Sequence, residues 1–63
     1  MIIKTRIENE TMLSLTIDTI DYDNREITFA IIIHYPDHYN KNTVGHFKTA
    51  CNIYNDMECQ YFD

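Results

Sequence analysis

The chain has one glycine, one proline, no tryptophan and two cysteines, and its five basic residues stand against ten acidic ones. Each shortage excludes something. A lone glycine, Gly45, cannot build the glycine-rich loop whose backbone N–H groups cradle phosphates. Cys51 and Cys59 form no Cys-x-x-Cys pair, and His34, His38 and His46 add no zinc-ligand spacing. Pro36 also disfavours the helix that would align His34 with His38. No metal and no other cofactor is therefore expected. His34 reads as a strand-end residue, His38 as a loop residue and His46 as a first-turn helix residue. On an expected helix the two cysteines are separated by a rise of about 12 Å. A disulfide needs Cα atoms within roughly 7 Å, so both read as free thiols in a reducing compartment.

The charge balance, -5 at neutral pH, argues against direct nucleic-acid binding, which needs clustered Lys and Arg. It favours solubility and attraction to a basic partner. No apolar run approaches membrane-spanning length, and Met1-Ile2-Ile3-Lys4 does not open a signal-peptide core. A cytoplasmic protein without membrane attachment is expected, and the sequon Asn9-Glu10-Thr11 carries no weight there.

What is present is one strong β signal. Glu26 to Tyr35 reads EITFAIIIHY, uncharged between Glu26 and His34, too short for a membrane span and too β-branched for a helix. By alternation, Ile27, Phe29, Ile31 and Ile33 point one way and Thr28, Ala30, Ile32 and His34 the other. Met12 to Asp18 alternates as clearly, with Leu13, Leu15 and Ile17 inward. Between them Asp21-Tyr22-Asp23-Asn24-Arg25 reads as a three-residue hairpin loop, Tyr22 to Asn24, with Asn24 left-handed. Closing the hairpin there sets Leu13 against Ile33, Leu15 against Ile31 and Ile17 against Phe29, so turn and pattern agree on register. Ile2 to Glu8 reads as an earlier strand with Ile3, Thr5 and Ile7 inward, followed by a polar turn.

After Pro36 the expectation is an eight-residue loop, Tyr35 to Asn42, then a helix capped by Asn42 or Thr43. Its apolar stripe is Val44, Phe47, Ala50, Ile53 or Tyr54, Met57 and Tyr61. Lys48, Asn52, Asn55, Asp56 and Asp63 lie opposite. The expected fold is α+β: a single domain, residues 1–63, with a three-stranded antiparallel meander and one C-terminal helix on one sheet face.

No catalytic constellation accompanies this fold. Cys51 sits mid-helix beside Ala50, in a position suited to a buried structural thiol. Asp21 and Asp23 are turn residues, and a chain this small would struggle to enclose a substrate. A non-enzymatic binding protein is expected. Its candidate contacts are Asp18, Asp21, Tyr22, Asp23 and Glu26 at the hairpin, then Tyr35, Asp37 and Tyr39 on the loop. Asp56 and Glu58 on the helix form a second acidic patch. One helix covers only one face of a sheet, so Ile2, Met12, Ile20, Ala30 and Ile32 are expected on an open face. That face would be buried by a second copy, through Ile32, or by the target.

By size, acidity, scarcity of glycine and richness in Asn, Ile and Tyr, the chain resembles small phage-encoded inhibitors of host enzymes, anti-CRISPR proteins among them. The resemblance is compositional, spans the whole chain and transfers no individual residue. It implies an acidic inhibitor that blocks a basic, nucleic-acid-binding surface of a larger host protein. The alternative is a self-associating structural or regulatory protein of antitoxin-like type.

Overall fold

The computed structural model describes residues 1–62 and shows four strands and one helix. Strands β1 (Ile2–Glu8), β2 (Thr11–Asp21), β3 (Glu26–His34) and β4 (Tyr39–Val44) form an antiparallel sheet in the order β1-β2-β3-β4, followed by α1 (Phe47–Phe62). The expected meander thus has a fourth strand, made from residues read as loop and helix cap. Asn40, Lys41, Asn42 and Thr43 have no apolar alternation because β4 is an edge strand with both faces largely exposed. The loop before it shrinks to Tyr35–His38, where the Tyr35 N–H donates to the His38 carbonyl at 2.8 Å. Tyr39 is a strand residue, Val44 ends β4, and Gly45 and His46 link it to the helix. The first helical hydrogen bond recorded there runs from the Ala50 N–H to the His46 carbonyl.

Register explains the two faces. Rows on the helix-covered side run Arg6–Leu13–Ile33–Asn40 and Lys4–Leu15–Ile31–Asn42 across the four strands, continued by Ile17–Phe29–Val44. The apolar centre of these rows, Leu13, Leu15, Ile31 and Ile33, is buried with Ala50 and Tyr54 of the helix. Fully burying such side chains contributes roughly 1.5–3 kcal/mol each. The flanks of the rows are polar. On β1 the assignment of faces is reversed from the sequence expectation: Lys4 and Arg6 lie on the helix side, while Thr5 and Ile7 lie on the open side. A register irregularity between Ile2 and Lys4 causes the reversal and lets Ile3 pack against the core. Ile7 is consequently 66% exposed.

The helix is held by this surface rather than by its own ends. It has no acidic residue in its first turn and no basic residue in its last, so neither end complements the helix dipole. Instead the Lys4 ammonium sits 5.1 Å from the Tyr54 ring centre, and the Arg6 guanidinium 5.2 Å from that of Phe62. Arg6 also pairs with Glu58 at 3.8 Å and Glu8 at 2.9 Å. Lys48, Asn52, Asn55 and Asp56 face water as the helical spacing requires, and Asp63 lies outside the described residues. Tyr61, expected in the stripe, is 46% exposed, and Phe62 packs on the core instead.

Two turns differ in chemistry. Asn9 and Glu10 take φ of 52° and 67°, the two left-handed residues of a tight hairpin. In the β2–β3 hairpin the expected register holds from Met12 opposite His34 to Ile17 opposite Phe29, then shifts by one at a bulge beside Asp18. The loop therefore has four residues between the paired Asp21 and Glu26, and the left-handed residue is Arg25 (φ 55°), not Asn24. The shift also carries Ile20, expected on the open face, to the helix side opposite Ile27.

Candidate functional site

The molecule measures 40 × 22 × 15 Å, and the β2–β3 hairpin forms one end of it, reaching past the start of the helix. Ile20 and Ile27 face each other there on the helix side, where no helix remains to cover them. Ile20, Tyr22, Ile27 and Phe47 are 46%, 82%, 42% and 50% exposed. The Phe47 ring is 5.4 Å from that of Phe29, so the first helical residue prolongs the apolar strip along β3. Two shallow hollows flank Ile27. One, of about 380 Å³, lies between Arg25, Glu26, Thr28, Gly45 and His46, and the other, about 300 Å³, between Ile20, Asp21 and Tyr22.

Acids stand at the end of this strip, on the other face of the hairpin. Asp21 lies directly opposite Glu26, a like-charge cross-strand pair, with Asp23 in the loop between them. Opposed like charges destabilise a sheet. The loop compensates locally: Asp21 Oδ1 accepts from the backbone N–H groups of Asp23 and Asn24, and Oδ2 from the Asn24 amide at 2.8 Å. The Asn24 side-chain bond leads in holding the Asp21 carboxyl below its ordinary value of 3.8. The tip therefore stays anionic and shaped, which leaves its residual repulsion available to an incoming cation.

Of the expected contacts, Asp21, Tyr22, Asp23 and Glu26 come together at this tip. Asp18 does not. It follows Ser14 and Thr16 on the open sheet face, where its carboxylate meets Lys41 of β4 at 2.7 Å. Ile32 is on that face as expected and is half-buried among its neighbours. Rows on the open side run Ile7–Met12–His34–Tyr39 and Thr5–Ser14–Ile32–Lys41, with Ala30 and Ser14 buried between larger side chains.

The remaining candidates scatter. Tyr35 packs against the core, with its hydroxyl pushed above the ordinary value by burial and by Tyr61. Its ring stacks on His38 at 4.4 Å, and His38 binds Asp37 at 2.7 Å, a bond that holds the Asp37 carboxyl low. Tyr39 is 61% exposed, on the open face beside His34 rather than on a loop. Asp56 faces water, whereas Glu58 turns to Arg6, so they do not form one patch. Cys51 is half-buried, Cys59 is exposed, and both are free thiols. Among the described residues no three His, Cys, Asp or Glu side chains converge as metal ligands, and no helix is long and apolar enough to cross a membrane.

Sequence reasoning missed Ile27 and Phe47 as surface residues because their spacing assigns them to the core, and it placed Ile20 on the other face because the bulge beside Asp18 has no sequence signal. It missed Lys41 because β4 was read as a loop. The chain matches no family model, no curated protein and no solved structure.

Proposed function

We propose that this protein is a non-enzymatic binding module that docks its β2–β3 hairpin tip on a basic surface of a larger protein, and inhibits by occupying a surface that otherwise holds nucleic acid. The observation that carries this reading is the tip itself: an exposed apolar strip, Ile20, Tyr22, Ile27 and Phe47, with the opposed carboxylates Asp21 and Glu26 next to it on the other face of the same hairpin. Apolar side chains at the centre of an interface supply affinity, and the acids around them supply steering and choice of partner. The acidic balance of the whole chain supports the same partner class.

The test is affinity capture in parallel with the natural chain and the Tyr22→Ser/Ile27→Ser variant. A basic protein retained by the first and lost by the second supports the proposal. Identical captures with both chains remove the tip as the docking site.

A further inference from the structure

We infer that β3 has a free edge at Ile27 which receives an extended segment of the partner, an apolar residue followed by a basic one. The segment pairs with β3 in line with β4, where β4 has already ended. This rests on the docking reading above and names what the partner brings to the tip.

The alternation of hydrogen bonds locates the edge. The Tyr35 N–H donates to the His38 carbonyl, and in an antiparallel pair every second residue exchanges bonds with the one opposite. Counting back from Tyr35, the backbones of Ile33, Ile31 and Phe29 bond those of Asn40, Asn42 and Val44. Ile27 is the next residue to point its N–H and carbonyl that way. Among the described residues it has no opposite partner on that side, because β4 ends at Val44 and the chain leaves the sheet at Gly45. Glu26 and Thr28 direct theirs to β2, where they lie opposite Asp21 and Thr19.

The place beside Ile27 is open. The hollow of about 380 Å³ lies there, with Ile27 and Thr28 on one side and Gly45 and His46 on the other. A Cβ on Gly45 would meet nothing within 4 Å. An unpaired N–H and carbonyl at a sheet edge are a template for a further strand. A single antiparallel residue matches them, since it exchanges both bonds with Ile27, whereas a parallel strand divides them between two residues.

Register then dictates the occupant. The residue opposite Ile27 turns its side chain to the helix side, towards the exposed Ile27, Ile20 and Phe47, and is apolar. The residue after it lies opposite Glu26 and turns to the open side, where Glu26 and Asp21 oppose each other. A lysine or arginine there relieves the repulsion of the two carboxylates. One place earlier the same cation meets Arg25, which lines both hollows beside Ile27. The order apolar then basic, read in the direction of β4, follows.

The experiment is amide-resolved NMR on the full chain. Without ligand, the Ile27 amide is expected to exchange with solvent faster than those of both Glu26 and Phe29, a pattern that fraying from the tip does not give. The probe is the capped peptide Thr-Leu-Lys-Thr, titrated beside its Leu-Glu counterpart and a form N-methylated at the leucine. The first is expected to shift Ile27 and Glu26 at millimolar concentration and to slow exchange at Ile27. The other two are expected to bind about tenfold more weakly or worse. Gly45→Leu, which places its side chain in open space and should keep a normal melt, is expected to weaken the first peptide likewise. An Ile27 amide as protected as Phe29, no shift at Ile27 with any peptide, or shifts indifferent to N-methylation overturns the inference. Shifts at Ile20 and Phe47 that survive N-methylation remove the pairing and keep the docking reading, which the capture experiment judges separately.

Discussion

Lys41 Nζ lies 2.7 Å from Asp18 Oδ1 although the strands that carry them are not neighbours. The bond straps β4, an otherwise polar edge strand, to β2 over the top of β3. Asp18 reaches the open side by the same alternation as Ser14 and Thr16, just where the bulge begins. Hydrogen bonding to Asp18, followed by its charge, raises the Lys41 ammonium above the ordinary 10.5.

An alkaline limit on stability follows. Burial, followed by the charge of Glu58, raises Tyr54 above 10.0, and Lys41 is raised as well. At high pH the folded chain thus holds protons that the unfolded chain has released. These contributions are complete below the unfolded values of 10.0 and 10.5 and are lost as pH rises through the folded ones. Urea melts should show stability falling above pH 10.0, and the fall should be shallower in a Tyr54→Phe/Lys41→Met variant. An equally steep fall in that variant would assign the limit to other groups.

Tyr54→Ala should unfold the protein or nearly so. The side chain is 1% exposed at the centre of the helix–sheet contact, and emptying such a site costs about 3–5 kcal/mol. A chain of this length has roughly 3–9 kcal/mol in total. Phe47→Ala, at a 50% exposed position, should cost about 1 kcal/mol and keep the fold. Chemical denaturation of the two variants side by side checks the contrast, and comparable losses would mean that the core is not centred on Tyr54.

Glu10→Gly should stabilise the β1–β2 hairpin. Glu10 holds φ at 67° directly after Asn9 at 52°, a conformation that strains an L side chain and suits Asn-Gly. The gain expected is about 1 kcal/mol, or roughly 4–8 °C in Tm. A lowered Tm would show that the Glu10 side chain makes a contact worth more than the backbone strain.

With a captured partner in hand, Asp21→Asn/Asp23→Asn/Glu26→Gln should slow association and flatten its salt dependence, since exposed charges act over about 8–10 Å near physiological ionic strength. Stopped-flow measurement at several salt concentrations reads both effects. The fold should tolerate these changes, because removing the Asp21–Glu26 opposition relieves repulsion as well as breaking the Asn24 bond. An association rate unchanged at low salt would exclude steering by the tip.

The helix, the polar turn at Asn9 and the pairing of β2 with β3 through Ile17 were legible in the residues. Each rests on a periodic contrast between a covered and an uncovered face, and β2 and β3 are central strands with a helix on one side only. Strand β4 was not legible, since an edge strand exposed on both faces has no contrast to display. The acidic tip could be read from the turn residues Asp21, Tyr22 and Asp23. Its apolar half could not, because Ile27 continues the alternation of the core and Ile20 reaches the same face only through the bulge beside Asp18.

The sequence by itself determined which residues are apolar, which strands alternate and that acids outnumber bases, because those properties belong to residues and to their nearest neighbours along the chain. Only the tertiary structure decided the rest. One irregularity beside Ile2 inverted the faces of β1 and brought Lys4 and Arg6 over aromatic rings of the helix. Another beside Asp18 carried Ile20 to the helix side and Asp21 to the open one. A strand alternates with a period of two, so one inserted residue exchanges inside and outside for everything beyond it. Such insertions are settled by the summed packing of both faces, which no local stretch of sequence contains.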